Sequence, residues 1–110
     1  MAEQMGLLRG TLDTVILRSL TWQPMHGFEI TTWLEERSGG ALEVEDGALY
    51  HALVRLERRE LIAAEWGVTD NNRRARYYRL TARGRRHLKE QSAQLLRYTT
   101  ALSSILTASR

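Results

Sequence analysis

The spacing of apolar residues along the 110-residue chain changes from a helical period to a strand period and back again. Up to about Glu60, apolar residues recur every three to four positions, which predicts three amphipathic helices. From Ile62 to Leu80 they alternate around a polar turn, which predicts a two-stranded hairpin. After Thr81, which can cap a helix, the helical period returns for about 25 residues. This order predicts a mainly α fold with a small β-hairpin.

The predicted boundaries follow from local capping and breaking signals. Thr11 can cap the first helix, the second runs from Gly27 to Arg37, and the third runs from Asp46 to Glu60. A three-helix unit followed by a hairpin is typical of a winged helix-turn-helix. We therefore expect a winged helix-turn-helix over residues 1–81 and a C-terminal dimerisation helix over residues 82–110, in one compact unit.

Composition restricts the class of protein further. With 43% apolar and 26% charged residues the chain is typical of one soluble domain, and the absence of cysteine excludes disulfides and thiolate chemistry. Charged residues interrupt the N-terminal apolar stretch, and no run reaches the roughly 18 apolar residues of a membrane span. We expect a cytoplasmic protein without membrane contact.

Catalytic and metal-binding patterns are missing from the sequence. The three histidines, at positions 26, 51 and 87, fall on separate predicted elements, and no HExxH, GxSxG or glycine-rich phosphate loop occurs. We expect no enzymatic activity, no metal and no cofactor.

Positive charge is concentrated in one third of the chain. From Arg55 to Lys89 there are 11 basic and four acidic residues, whereas the remainder is acidic on balance. Such a segment is typical of a protein that binds a polyanion, and the alternative is a solvated basic face without a partner.

The third predicted helix has the pattern of a DNA-reading helix. Its buried side is set by Leu49, Leu53 and Leu56. The residues predicted to contact DNA on the other side are Gly47, Ala48, Tyr50, His51, Arg55 and Arg58. The small residues allow close approach to DNA, and His51 and Arg55 are placed to reach base edges. The alternative makes Tyr50 a packing residue and Arg58 a surface charge.

The tip of the predicted hairpin is dense in arginine and asparagine. The residues predicted to contact DNA there are Asn71, Asn72, Arg73, Arg74 and Arg76. Asparagine tolerates a positive φ, which suits a hairpin turn, and arginine suits phosphates or a minor groove. Ordinary surface turns also carry arginine, but seldom at this density.

The last predicted helix repeats leucine every seven residues, at Leu88, Leu95 and Leu102, and Leu96, Tyr98 and Ile105 widen the stripe. A helix of this length cannot bury the whole stripe on so small a core, so we expect a second chain to cover it. The alternative is packing against the first helix, and both can hold at once.

Four motifs resemble the PadR family of bacterial transcriptional regulators. They are Gly10-Thr11-Leu12, Met25-His26-Gly27-Phe28-Glu29-Ile30, Gly47-Ala48-Leu49-Tyr50 with Leu53 and Arg55-Leu56-Glu57, and Arg76-Tyr77-Tyr78-Arg79-Leu80-Thr81. The length and the single final helix resemble the short subfamily, which dimerises through its first and last helices. The resemblance implies a homodimeric repressor that binds double-stranded DNA at a pseudo-palindromic promoter site and is released by a small-molecule effector or another signal.

The same resemblance implies a dimer interface that can hold an effector pocket. Its predicted residues are Leu8, Val15, Leu88, Leu95, Tyr98, Leu102 and Leu106. In multidrug-binding short members a tryptophan of the last helix lines this pocket, and by spacing Leu95 takes its place. The chain also has Glu45-Asp46 where the family commonly has Ser-Pro, and His51 where proline is common. The alternative function is a winged-helix adaptor that binds a protein, with Glu45-Asp46 deterring DNA.

Overall fold

The computed structural model describes residues 9–110, and its elements follow the predicted order. The elements are α1 (Arg9–Ser19), α2 (Gly27–Arg37), α3 (Asp46–Arg58), β1 (Ile62–Val68), β2 (Arg74–Leu80) and α4 (Ala82–Leu106). The mainly α architecture with one hairpin and a long C-terminal helix is confirmed. No helix among residues 9–110 is both long and apolar enough to cross a membrane.

Side-chain caps set the first turns of α2 and α4. His26 Nδ1 accepts a hydrogen bond from the Glu29 N–H at 3.3 Å, while the Glu29 carboxylate accepts one from the His26 N–H at 3.1 Å. Thr81 Oγ1 accepts from the Gly84 N–H at 2.9 Å, as the sequence predicts. The prediction that Thr11 caps the first helix is wrong, because α1 already includes Arg9 and Thr11 lies inside it.

The end of α3 lies two residues before the predicted one. Glu60 adopts a φ of 60°, in the left-handed region. The Glu60 N–H then bonds to the Glu57 carbonyl at 2.9 Å, and the Leu61 N–H bonds to the Leu56 carbonyl at 3.0 Å. This pair of bonds is the Schellman motif, which terminates the helix at Arg58 and turns the chain into β1.

α1 lies at the centre of the molecule, with Ile16 and Leu17 completely buried, and it contacts α2, α3 and α4. The predicted apolar sides of α2 and α3 face it. The buried apolar residues are Leu12, Ile16, Leu17, Leu20, Met25, Ile30, Leu34, Leu49, Ala52, Leu53, Leu56, Leu61, Ile62, Leu80 and Leu88. This core fixes the orientation of α3 relative to the hairpin.

The hairpin is antiparallel, with a register that runs from Ile62 opposite Leu80 to Val68 opposite Arg74. Its root is buried, whereas Trp66 and Val68 are exposed because the strands extend past the core. Met25 lies beside β2 on the other side and exchanges both backbone hydrogen bonds with Tyr78, at 3.0 and 2.8 Å. The hairpin is therefore fastened at its root to the connection between α1 and α2.

α4 begins against the hairpin and then leaves the core. Gly84 is buried, and a Cβ built there would overlap the Leu61 carbonyl oxygen. Leu88 packs in the core, but almost every residue from position 93 onward is exposed. The molecule measures 57 × 30 × 21 Å, and its long dimension reflects this projecting helix of about 37 Å.

Candidate nucleic-acid interface

The N-terminal half of α3 presents a protruding surface. Gly47, Ala48, Tyr50 and His51 are all exposed, while Leu49 and Leu53 anchor the helix in the core. The rings of Tyr50 and His51 meet edge to face, with 5.6 Å between centroids. Tyr50 is thus not a core packing residue, and the two rings form a ridge available to a partner.

Arg55 lies in a different environment from the one the sequence pattern predicts. Its Nη2 donates to Asp13 Oδ1 at 2.7 Å, and the Asp13 side chain is only 8% exposed. This ion pair joins α3 to α1 across 42 residues of sequence. Because a buried carboxylate holds its guanidinium, Arg55 braces α3 against α1. The contact of Arg55 with base edges stays a prediction.

The hairpin tip is a short, well-formed turn. The Asn72 N–H bonds to the Thr69 carbonyl and the Thr69 N–H bonds to the Arg73 carbonyl, both at 2.8 Å. Asn72 has a φ of 63°, so the tolerance of asparagine for the left-handed region is used here as predicted. Asn71, Asn72 and Arg73 are therefore presented on a defined backbone.

Three arginines at and near the hairpin tip have different environments. Arg76 Nη2 donates to Glu57 of α3 at 2.7 Å, and the Arg74 guanidinium stacks over the Trp66 ring at 4.6 Å. Arg73 is exposed at the tip, and no acidic side chain among residues 9–110 forms an ion pair with it. The same holds for exposed Arg58 at the end of α3. Arg73 and Arg58 thus carry charge that the described part of the molecule does not neutralise.

An open groove of about 430 Å³ separates the hairpin from α2 and α3. Arg73, Arg74 and Arg76 line one side, and His26, Phe28 and Leu53 line the other. A smaller cleft of about 330 Å³ continues from Phe28 to Asp46 and Tyr50 at the start of α3. Sequence reasoning missed Phe28, although an aromatic residue out of phase with buried Ile30 and Leu34 is a visible signal.

Tyr78 also lies in the wall of the groove. Burial raises the pKa of its phenol above 10, although the nearby Arg76 charge opposes this shift. The phenol is therefore neutral at physiological pH. At the rim, Glu45 and Asp46 are exposed, and Asp46 lies in the first turn of α3, where its charge is favourable to the helix dipole.

The predicted dimer residues are divided between the core and the surface. Leu88, which the sequence predicts at the interface, is buried in the core of the single chain, and Val15 is half-buried against that core. Leu95 is half-buried, whereas Tyr98, Leu102 and Leu106 are exposed together with Leu96 and Ile105. Leu8 lies outside the described residues. A groove of about 430 Å³ runs between α1 and α4 and is lined by Gly10, Thr11, Thr14, Gln91, Gln94, Leu95 and Tyr98.

Residues 16–90, which run from α1 through the hairpin (the wing of this fold) into α4, match the transcriptional regulator PadR-like family. The chain belongs to this family. The chain is therefore a PadR-like regulator of transcription. Among residues 9–110, no group of three or more histidine or acidic side chains is arranged to hold a metal ion.

Other proteins are similar to this PadR-like chain over most of its length. An uncharacterised protein from Lysinibacillus sphaericus is 32% identical over 84 residues, 76% of this chain and 77% of that protein. A PadR family transcriptional regulator from Eggerthella lenta superposes with a TM-score of 0.74 at 30% identity, covering 91% of this chain and 85% of the other. A transcriptional regulator from Clostridium thermocellum gives a TM-score of 0.77 at 26% identity, covering 87% and 93%.

Proposed function

We propose that this PadR-like regulator is a homodimeric repressor that binds double-stranded DNA at a pseudo-palindromic promoter site. The observation that carries the proposal is the exposed, unneutralised charge of Arg73 on a turn beside the exposed ridge of α3. An arginine on a rigid projecting turn suits a phosphate or a narrow minor groove. The exposed start of α3 suits the neighbouring major groove, where Tyr50 and His51 meet base edges.

The first experiment selects binding sites from a random duplex pool and measures affinity for the selected site and a shuffled fragment of the same composition. A specific regulator is expected to prefer the selected site on the order of 10³-fold, measured by fluorescence anisotropy. Equal and weak binding to both fragments would contradict the proposal and favour the protein-binding adaptor.

Replacing Arg73 and Arg74 with alanine is expected to weaken binding to both fragments at least about tenfold. A dimer would lose four phosphate contacts, so the slope of log affinity against log salt should fall by about 3 to 4. The measurement is a salt titration of anisotropy between about 50 and 200 mM. Arg37→Ala is the matched control, because Arg37 lies at the end of α2 remote from the groove. A wing variant that keeps the wild-type salt slope would contradict phosphate contact.

The proposed dimer interface is the apolar surface of α4 that the core of the single chain does not cover. Leu95, Tyr98, Leu102 and Ile105 follow a three-four-three spacing, the pattern by which helices pair in coiled coils. Three of these side chains are exposed in the single chain. A second copy presents the same stripe, and its pairing would also place two winged units for a two-fold symmetric site.

Replacing Leu102 and Ile105 with glutamate is expected to convert the dimer into a monomer of 12.7 kDa. The reason is that burying four carboxylates in an apolar interface is strongly unfavourable. Sedimentation equilibrium gives the mass, and anisotropy should show a matching loss of specific affinity. Thr100→Glu, a change at an exposed position on another side of α4, is the control. Wild-type protein that sediments as a monomer at micromolar concentration would contradict the dimer.

We propose the groove between α1 and α4 as the effector site of the repressor. Thr11, Gln91, Gln94 and Tyr98 offer uncharged hydrogen-bonding groups, and Leu95 offers one apolar wall. These groups favour a neutral polar ligand over a planar aromatic drug, since Leu95 replaces the aromatic platform of multidrug-binding members. The first step is to find compounds that raise the melting temperature of the protein. These compounds are then tested for their ability to release the protein from DNA. Gln94→Leu should bind DNA but no longer be released by them.

A further inference from the structure

Among residues 9–81, one exposed aromatic side chain has neither an aromatic ring nor a cation stacked against it. Phe28, the second residue of α2, is 75% exposed. Trp22 and Trp66 are also exposed, but Arg18 stacks on the first at 4.7 Å and Arg74 stacks on the second at 4.6 Å. Among residues 9–110, no aromatic ring or cation is stacked on Phe28. Most of the phenyl ring therefore lies in water, and covering it with an apolar surface would be favourable.

Phe28 lies between the two parts of the candidate interface. It lines the groove that it shares with Arg73, Arg74 and Arg76, and it also lines the cleft that it shares with Asp46 and Tyr50. The capping box formed by His26 and Glu29 fixes the turn of helix that carries it. Phe28 is thus a ridge at a defined position between the wing and the start of α3.

Adjacent major and minor grooves of a duplex are separated by one sugar–phosphate strand. If the wing tip enters the minor groove and α3 enters the major groove, that strand must cross the surface between them, where Phe28 stands. A phenyl ring has no donor for a phosphate oxygen. Its favourable contact on such a strand is with the carbon atoms of deoxyribose.

We propose that Phe28 packs against the deoxyribose of the strand that passes between the wing and α3. The inference rests on the DNA-binding function proposed above, and it adds a contact that is apolar and independent of sequence. The flanking arginines of the wing would hold the phosphates of the same strand. Phe28 then fixes the depth at which the strand lies in the groove.

The test compares wild type, Phe28→Ala and Phe28→Tyr on the selected site and the shuffled fragment. Phe28→Ala is expected to weaken binding to both fragments by about tenfold, because apolar burial is lost in each copy of the dimer. The salt slope should stay at the wild-type value, since no charge is removed. Phe28→Tyr keeps the ring and should retain nearly all of the affinity.

Trp22→Ala is the matched control, because Trp22 is 61% exposed but lines neither the groove nor the cleft. Unchanged affinity of Phe28→Ala, a changed salt slope, or a loss confined to the selected site would each overturn the sugar contact. Failure of the proposed function has a different result: the wild-type protein would then bind the selected site no more tightly than the shuffled fragment. A melting temperature equal to that of wild type verifies that the Phe28→Ala chain is folded.

Discussion

Replacing Gly84 with alanine is expected to destabilise the folded chain by about 3 kcal/mol or more. The new methyl group would overlap the Leu61 carbonyl oxygen, an atom of the backbone that links α3 to β1. The start of α4 must then move away from the hairpin, opening the core around Leu80 and Leu88. Urea denaturation followed by far-ultraviolet circular dichroism, at one fixed protein concentration, measures the change.

Gly47→Ala is the matched control for this prediction. Nothing lies within 4 Å of a Cβ built at Gly47, and its φ is not in the left-handed region. Alanine is a better helix former than glycine, so this variant should gain up to about 1 kcal/mol of stability. If Gly84→Ala were as stable as wild type, the close crossing of α4 over Leu61 would be wrong.

Removing the Arg55 side chain is expected to cost about 2 to 4 kcal/mol of unfolding free energy. Arg55→Ala leaves the Asp13 carboxylate buried without its partner, and the penalty of an unpaired buried charge dominates the loss. The double variant Asp13→Leu with Arg55→Met should recover most of the stability, because apolar side chains of similar size need no compensating charge. Urea denaturation of the three proteins gives the comparison.

Arg58→Ala serves as the control on the same helix. Arg58 is exposed and has no ion-pair partner among residues 9–110, so its loss should change stability by no more than about 0.5 kcal/mol. Equal effects of Arg55→Ala and Arg58→Ala would mean that the pair with Asp13 does not brace α3.

The sequence correctly predicted the helices and turns that are determined by residues close together in the chain. α2 runs from Gly27 to Arg37 as predicted, and Thr81 caps α4 as expected. The hairpin follows from alternation and from the asparagine in its turn. The family resemblance was visible because it rests on these same caps, turns and buried positions.

Interactions between residues far apart in the chain explain where the environment of a predicted site residue differs from the expected one. The helical period predicts Arg55 on the side of α3 away from the leucines, but no local pattern reveals its partner Asp13, 42 residues earlier in the chain. Glu60 ends α3 in a left-handed conformation, for which glycine or asparagine is the usual sequence signal. The heptad spacing of Leu88 is compatible with a place in the core or in an interface between chains. The fold buries Leu88 in the core of the single chain.

The backbone bridge between Met25 and Tyr78 acts together with the ion pair between Arg76 and Glu57 to connect the wing to the helices at two points. These two contacts hold the base of the wing against the rest of each protomer. In the proposed complex the wing and α3 of one protomer would move together as one unit. A signal that released the proposed repressor from DNA would change the distance between the two such units of the dimer. It would do so by changing the angle at which the two α4 helices cross.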